Sequence, residues 1–371
     1  MRFIQTTLAL LLFVVAGLQV SDAQYPPGTI PGILREPILL TIAPNGTDTV
    51  VLEAMVTRPD RPGRNPLLIW SHGAPRDPAD RVRTRPNRPS ETAIFFAERG
   101  WTVVNLVRRG YGRSQGPYAE SAGSCKNPDY LAVARASAQD VLAALKPLSQ
   151  REDVDPSRVI LAGISAGGFA SLSAAGQKPP GLLAVLNFAG GRGSTAPDSV
   201  CREDLLIDAF AKFGSAVTVP SFWAYSANDH FFGPDLVRRM LAAFTMAGGK
   251  ADFADLPAFG EDGHYLTTTE GMALWRDPLD QFMRRHNLPI ETPATRRTVV
   301  LPTPPDLSQK GVAEFDRYLA TARFEKAFVI GPRGSFAWRS NRETPEQAIA
   351  DALATCGTGC QVYAVNNQLK N

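Results

Sequence analysis

Apolar runs alternate with amphipathic stretches from about residue 36 to residue 287. Several of the runs are continuous rather than alternating, as in strands of a parallel sheet that is covered on both faces. The predicted strands are Asn65–Trp70, Trp101–Val107, Arg158–Gly163, Leu182–Phe188, Pro220–Tyr225 and Ala251–Leu256. Amphipathic helices are predicted between them, including Leu131–Ser149 and Pro234–Ala247. This alternation predicts an α/β doubly wound sheet, which an antiparallel segment over Ile38–Val56 precedes.

The pattern changes after residue 287. Residues 288–307 are rich in Pro and Thr, which predicts a linker. Two helices and three short strands are predicted beyond it: Gly311–Thr321, Lys326–Ile330, Ser335–Arg339, Thr344–Thr355 and Gln361–Asn366. The Thr-x-x-Gln start at Thr344 resembles a capping box. We therefore predict a main domain over residues 24–287 and a small α+β domain over residues 308–371.

The first residues have the pattern of a secretory signal. Arg2 is followed by an apolar run over Leu8–Val20 and by small residues up to Ala23. A membrane anchor is the alternative, but a helix needs about 20 apolar residues to span a bilayer, and this run is shorter. We predict a signal peptide over residues 1–23, no stable membrane anchor, and a mature chain that begins at Gln24 in the periplasm or outside the cell.

Charge and cysteine content narrow the function classes. The formal net charge is +3, and no Lys/Arg-rich run has interleaved aromatic residues, which argues against nucleic-acid binding. The four cysteines are Cys125, Cys201, Cys356 and Cys360. An even number in an exported chain favours disulfides. Of three possible pairings, Cys125–Cys201 with Cys356–Cys360 is the simplest. A single C-x3-C without a nearby histidine is weak support for a metal site.

A G-x-S-x-G motif carries the strongest chemical signal. It runs from Gly163 to Gly167, between a predicted strand and a helix of small residues over Ser165–Ala175. In that context the motif forms a sharp turn that projects the serine hydroxyl over the sheet edge, and the glycines avoid side-chain clashes. The sequence predicts Ser165 as a nucleophile.

Acyl transfer also needs hydrogen-bond donors for the oxyanion. The segment Ser71-His72-Gly73-Ala74 follows a predicted strand well upstream of Ser165. We assign the backbone N–H groups of Ala74 and Ala166 to the oxyanion hole. The chain order in this fold is serine, acid and then histidine, so His72 is not the predicted base. We expect its ring to bond to neighbouring backbone.

The base must follow Ser165, which leaves three of the four histidines. His286 lies at a predicted helix end, where a cation suits the helix dipole. His264 lies in a glycine-flanked loop directly after the last predicted strand. The triad order therefore favours His264 as the base.

The acid must orient that histidine from a loop after an earlier strand. Asp229 follows the strand Pro220–Tyr225 and precedes His264, as the order requires. The other carboxylates in range are Asp235, Asp252, Asp255, Glu261 and Asp262. We expect these to lie at a helix start as a cap (Asp235), within a strand (Asp252 and Asp255) or in a solvated loop (Glu261 and Asp262). A metal site of Asp229, His230 and His264 lacks the usual ligand spacing, so no metal is predicted.

These residues resemble a known family. The segments SHGA (71–74), RRGYGRS (108–114), GISAGG (163–168), YSANDHFFG (225–233) and EDGH (261–264) are similar to dienelactone hydrolase-like α/β-hydrolases and to prolyl oligopeptidase-type catalytic domains. The resemblance covers about residues 36–287. It implies an α/β-hydrolase fold and a serine hydrolase without a cofactor, although dienelactone hydrolases themselves use a cysteine where Ser165 stands.

The substrate is less constrained by the sequence. Five arginines follow the oxyanion segment: Arg76, Arg81, Arg83, Arg85 and Arg88. Loops after strands form the site rim in this architecture, so Arg81 and Arg83, together with Tyr118, are candidates for binding an anionic substrate. A solvated basic loop is the alternative. Residues 113–130 and 191–217 are candidate lids that a Cys125–Cys201 bridge would join.

Three functions fit these observations. A carboxylic-ester hydrolase acting on a small molecule comes first. A serine peptidase acting on a short peptide is second, although such enzymes usually carry a substrate-sorting domain, and none precedes residue 36. A binding protein on a lapsed hydrolase core is third, and the intact order of Ser165, Asp229 and His264 counts against it.

Overall fold

The computed structural model describes residues 30–293, 299–321 and 323–370. The predicted signal peptide and the middle of the predicted linker, residues 294–298, lie outside the described residues. Among the described helices, none has the length and apolar character that crossing a bilayer requires.

The helices and strands follow one another along the chain as predicted, with additions. Up to residue 293 they are β1 (Ile33–Ile42), β2 (Val50–Pro59), β3 (Asn65–Ser71), α1 (Ser90–Ala97), β4 (Thr102–Leu106), α2 (Tyr130–Ser149), β5 (Val154–Ile164), α3 (Ala166–Ala175), β6 (Leu182–Phe188), β7 (Ser194–Ala196), β8 (Ser199–Val200), α4 (Glu203–Ala216), β9 (Ser221–Ser226), α5 (Pro234–Met246), β10 (Ala251–Leu256) and α6 (Thr269–Arg285). Beyond residue 299 they are α7 (Gln309–Ala320), β11 (Ala327–Ile330), β12 (Phe336–Arg339), α8 (Pro345–Cys356), β13 (Gln361–Val365) and β14 (Gln368–Leu369).

One large sheet organises the first part of the chain. Its strand order is β1-β2-β4-β3-β5-β6-β9-β10. Within this sheet, neighbouring strands pair in parallel from β4 through β3, β5, β6 and β9 to β10. In contrast, β1 and β2 form an antiparallel hairpin, and β2 pairs antiparallel with β4. Because the carboxyl ends of the parallel strands share one edge, the loops after β3, β5, β6, β9 and β10 meet there. The predicted fold class, a mostly parallel sheet with an antiparallel start, is confirmed.

The sheet has a core on each face. Leu68 and Trp70 of β3 belong to one buried cluster, while Leu67 and Ile69 belong to the other. Successive residues of a strand point to opposite faces, so a strand that is buried on both sides must be apolar throughout. Phe210 and other residues of α4 pack into the first cluster. The expectation that all of residues 191–217 form a lid is therefore wrong, because α4 contributes to the core.

A second, antiparallel sheet follows, with the strand order β12-β11-β13-β14. Phe315 and Tyr318 of α7 pack on Phe328 of β11, and alanines of α8 pack on the same sheet. Thr344 caps α8 by accepting a hydrogen bond from the Gln347 N–H, as the sequence predicted. The C-terminal α+β appendage is thus present, and its proposed boundaries stay a prediction.

Polar contacts join the appendage to the loop after β3. Asn87 Nδ2 donates to Glu325 Oε2 at 2.7 Å, and Arg85 Nη2 lies 2.8 Å from Glu343 Oε2. The pair of Arg85 and Glu343 is partly buried, so solvent screens it less than a surface pair. The loop after β3 begins with the predicted oxyanion segment, and near its C-terminal end it is hydrogen-bonded and ion-paired to the appendage.

Candidate active site

Ser165 lies on a strained turn between β5 and α3. Its backbone has φ 56° and ψ −125°, a region that residues with a side chain rarely adopt. A Cβ on Gly167 would lie 2.0 Å from the Ser71 carbonyl oxygen, and one on Gly163 would lie 2.7 Å from the same atom. The turn therefore packs against β3 so closely that only glycine fits on either side. This is the strand–turn–helix context that the G-x-S-x-G motif requires.

The segment after β3 lies directly against this turn. A Cβ on Gly73 would lie 3.2 Å from Ser165 Cβ. Ala74 and Ala166 both line the cavity that contains Ser165. The two backbones that were assigned to the oxyanion hole thus flank the serine. Their role as donors stays a hypothesis.

His72 is bonded to backbone on both sides of its ring. The Arg108 N–H donates to Nε2 at 3.1 Å, so Nε2 must accept, and Nδ1 then donates to the Gly73 carbonyl oxygen at 2.6 Å. Burial, followed by the charge of Arg108, lowers the pKa of His72 to about 3. The neutral imidazole therefore braces the oxyanion segment, as the sequence analysis expected.

Asp229 and His264 form a buried pair at the same sheet edge. Their side chains are 0 % and 5 % exposed, and His264 Nδ1 lies 3.0 Å from Asp229 Oδ2. The N–H groups of Phe231 and Phe232 donate to Asp229 Oδ1 at 2.7 and 2.9 Å. These donors orient the carboxylate and stabilise its charge. Because a carboxylate only accepts hydrogen bonds, Nδ1 carries a proton, and in the neutral imidazole Nε2 then keeps its lone pair.

Ser165, Asp229 and His264 follow β5, β9 and β10, which end at one edge of the sheet. In the described chain no hydrogen bond joins Ser165 Oγ to His264 Nε2. Such bonds are often long in sites without substrate and tighten when it binds. Ser165 lines a cavity at this edge, and Asp229 orients the imidazole of His264. Their roles as nucleophile, acid and base stay a prediction.

The rival residues have other partners. Asp235 lies in the first turn of α5 and pairs with Arg239. It does not cap the helix as expected, because Gly233 holds the cap position. Asp252 of β10 pairs with Arg285 and His286, and Asp255 of the same strand pairs with Arg238. His286 ends α6, as predicted.

Asp262 differs from its expected role as a solvated carboxylate. Its Oδ1 accepts the backbone N–H of His264 at 2.9 Å and that of His230 at 3.1 Å. It thereby ties the loop after β10 to the loop after β9. The described residues contain no group of three or more His, Cys, Asp or Glu side chains that could hold a metal ion.

A cavity of about 310 Å³ opens beside Ser165. Arg81 and Tyr118 line it, whereas Arg83 does not: the Arg83 side chain is 74 % exposed and pairs with Asp80. Arg76 and Arg192 also line the cavity. Of the two arginines chosen from the sequence, the structure brings only Arg81 to the site.

A buried ionic network forms one wall of the cavity. Arg108 Nε and Arg192 Nη2 contact the Glu120 carboxylate at 2.5 and 2.8 Å, and the Tyr111 hydroxyl donates to it at 2.9 Å. Burial raises the pKa of Glu120, but the charges of Arg108 and Arg192 outweigh it and hold that pKa well below its usual range. Glu120 is therefore ionised, and its carboxylate is paired with Arg108 and Arg192 and accepts the Tyr111 hydroxyl.

A disulfide lies at the edge of this wall. Cys125 and Cys201 are bonded, as are Cys356 and Cys360, so the structure has the simplest pairing. The first bond joins the loop of Glu120 to the start of α4. The Tyr130 hydroxyl also donates to the Cys201 carbonyl oxygen.

Sequence comparison agrees with this geometry. Residues 48–224, slightly less than half of the chain, match the family model described as X-Pro dipeptidyl-peptidase (S15 family). The match runs from β2 into β9 and includes the nucleophile turn. The chain has the fold of the α/β-hydrolases. No curated protein matches the sequence of this hydrolase.

Solved structures with a similar fold have low sequence identity to this hydrolase. An esterase of Pyrococcus furiosus is 14 % identical, with a TM-score of 0.48 over 71 % of this chain and 97 % of its own. Acetyl xylan esterase 1 of Thermoanaerobacterium is 18 % identical, with a TM-score of 0.47 over 71 % and 88 %. An acylaminoacyl peptidase of Pyrococcus horikoshii is 14 % identical, with a TM-score of 0.47 over 70 % and 43 %. These values say nothing about the substrate of this hydrolase.

Several residues that line the cavity or form its wall were not predicted from the sequence. Arg108 opens the RRGYGRS segment, whereas Glu120 and Arg192 lie in separate loops, and no local spacing marks the three as partners. Phe231 stacks on His264 and lines the cavity, yet an aromatic residue after a strand is normally a core residue. Arg76 was visible in the sequence as one of the five arginines after the oxyanion segment, but it was not among the residues predicted to bind substrate.

Proposed function

We propose that this hydrolase cleaves carboxylic esters through Ser165, Asp229 and His264. The observation that carries the proposal is the buried bond between His264 Nδ1 and Asp229, which leaves Nε2 without a partner in the described chain, at the sheet edge where the strained Ser165 also lies. In the proposed reaction Nε2 takes the Ser165 proton as Oγ attacks the ester carbonyl. The Ala74 and Ala166 N–H groups bind the oxyanion, and Asp229 stabilises the imidazolium.

The second half of the reaction uses the same groups. His264 gives its proton to the departing alcohol, which leaves an acyl group on Ser165 Oγ. It then takes a proton from water, whose oxygen attacks the acyl carbonyl. The collapse of the second tetrahedral intermediate releases the acid and returns the proton to Ser165. No cofactor takes part in this sequence.

A serine peptidase is the second candidate, and the S15 family match favours it. An enzyme that removes an X-Pro dipeptide must bind a free, positively charged amino terminus. The cavity beside Ser165 is lined by Arg76, Arg81 and Arg192, and its carboxylate, Glu120, is already paired. This charge is unfavourable for an ammonium group, so ester hydrolysis is the proposal that fits better.

Export is part of the proposal. Two disulfides are stable in an oxidising compartment, and the first 23 residues have the order of a signal peptide. We expect the chain secreted by a bacterial host with its own leader to begin at Gln24. N-terminal sequencing of the periplasmic protein tests this, and retention of residues 1–23 in folded protein would contradict it.

A fluorophosphonate probe tests the catalytic proposal. It should label the purified mature protein and the control Ser199→Ala, whose side chain lies on an exposed strand, but not Ser165→Ala. p-Nitrophenyl esters and an X-Pro p-nitroanilide then separate the candidates. Turnover of esters alone supports an esterase, and turnover of the anilide at a comparable kcat/KM supports the peptidase. A folded protein that takes no label would leave a binding protein as the better explanation.

A further inference from the structure

The cavity beside Ser165 has an excess of positive charge. Among the described residues that line it, Arg76, Arg81 and Arg192 are basic, and Glu120 is the one carboxylate. Glu120 is shared between Arg192 and Arg108, which lies behind the wall. The network of these three residues therefore keeps one net positive charge, and Arg76 and Arg81 add to it.

Arg76 is held in place without an acidic partner. Its Nε donates to Ser194 Oγ at 3.1 Å and its Nη2 to the His230 carbonyl oxygen at 2.8 Å. Its guanidinium carbon lies 3.5 Å from the centroid of the Phe231 ring. Neutral partners and an aromatic face fix the orientation of the group but leave its charge uncompensated.

Arg81 is fixed in a similar way. Its guanidinium carbon lies 3.8 Å from the centroid of the Tyr118 ring, and its Nε donates to the Pro78 carbonyl oxygen. Within residues 30–293, 299–321 and 323–370, neither Arg81 nor Arg76 forms an ion pair. Two other arginines of the same loop do: Arg83 pairs with Asp80 and Arg85 with Glu343.

We propose that Arg76 and Arg81, with Arg192 in the wall of the same cavity, form a subsite for a carboxylate carried by the ester substrate. The proposal rests on the proposed ester hydrolysis and names its substrate class. Two guanidinium groups that are already oriented lose little conformational entropy on binding, and guanidinium matches carboxylate geometry with paired hydrogen bonds. A neutral ester of the same length would leave both charges without a partner.

A matched pair of esters tests the subsite. Mono-p-nitrophenyl glutarate and p-nitrophenyl valerate have acyl chains of equal length and differ in the terminal carboxylate. We expect the wild type to prefer the glutarate in kcat/KM. Arg81→Gln and Arg76→Gln should each lower kcat/KM for the glutarate about tenfold or more, mainly through KM, as expected for the loss of a charged hydrogen bond. The loss on the valerate should be far smaller.

Arg83→Gln is the control, because it lies in the same loop but outside the cavity. Its ratio of glutarate to valerate turnover should equal that of the wild type. An equal loss on both esters in the Arg81 and Arg76 variants, or a wild type without preference, overturns the subsite while leaving ester hydrolysis intact.

A binding measurement separates the two proposals if neither ester is turned over. Free glutarate is titrated into Ser165→Ala by calorimetry, and again into the same protein with Arg81→Gln. Binding that the second substitution abolishes supports the subsite although ester hydrolysis has failed. Absence of binding to both proteins overturns the subsite.

Discussion

The imidazole of His264 lies face to face on the phenyl ring of Phe231, with ring centroids 3.9 Å apart and planes inclined by 14°. The guanidinium of Arg76 lies 3.5 Å from the centroid of the same phenyl ring. Two groups so close to one centroid cannot share a face, so Phe231 separates them. Its N–H also donates to Asp229. One residue thus contacts the proposed base, the proposed acid and the cavity arginine.

Phe231→Leu should therefore lower kcat more than it raises KM for a neutral ester. Leucine keeps the backbone bond to Asp229 but has no flat face to hold the imidazole, and a small misplacement of a catalytic group costs about tenfold to a hundredfold in rate. Steady-state kinetics on p-nitrophenyl valerate measures this. Tyr265→Leu is the control, because Tyr265 is exposed and meets His264 only edge-on. Equal kcat values in wild type and Phe231→Leu would show that the stack does not position the base.

Asp229→Asn should lower kcat by a factor on the order of 10⁴, because an amide that donates to Nδ1 stabilises the wrong imidazole tautomer. The matched control is Asp235→Asn, which changes the rival acid. Its side chain is 89 % exposed and pairs with Arg239 in the first turn of α5. We expect Asp235→Asn to keep the wild-type kcat. A large loss in this variant and a small one in Asp229→Asn would reverse the assignment.

The proposed catalytic residues could be chosen from the sequence because the signals that mark them are local. The turn at Ser165 needs glycines at fixed positions on both sides. Asp229 closely follows the buried strand β9, and His264 lies in the glycine-flanked loop after β10. Glu120 could not be found in this way. It binds Arg108 twelve residues before it and Arg192 seventy-two residues after it, and only the folded sheet brings these loops together.

The same contrast holds for the secondary structure. Strands such as β3 are buried on both faces and are recognisable as apolar runs. Helix α1 was not predicted: residues from Ser90 to Ala97 are nearly all buried, so the helix lacks the polar face that reveals helical spacing.

The two disulfides should contribute unequally to stability. In the chain-entropy view a crosslink stabilises by restricting the unfolded chain, and the effect grows with the length of the closed loop. Cys125 and Cys201 are 76 residues apart, whereas Cys356 and Cys360 are 4 apart. Replacing both cysteines by serine should cost about 4.5 kcal/mol for the first pair and about 2 kcal/mol for the second. Urea unfolding of the two double variants measures this, and a larger loss for the local pair would contradict the entropic account.

His72 should make the folded protein sensitive to acid. Burial lowers its folded pKa to about 3, below the ordinary 6.5, so between these pH values the unfolded chain binds more protons. The stabilising contribution is complete above pH 6.5 and is lost as pH falls towards 3. From pH 8 to pH 5 this loss amounts to about 2 kcal/mol in the free energy of unfolding.

His72→Gln cannot take up a proton, so its free energy of unfolding should fall less steeply between pH 8 and pH 5 than that of the wild type. Urea unfolding at four pH values measures both slopes. His230→Gln is a control of opposite sign: hydrogen bonding to Asp198 raises the pKa of His230, which stabilises the fold at low pH, so removing it should steepen the loss. If the free energy of unfolding falls equally steeply in wild type and in His72→Gln, the folded protein tolerates a charged imidazole beside the oxyanion segment. His72 would then support that segment in its protonated form as well.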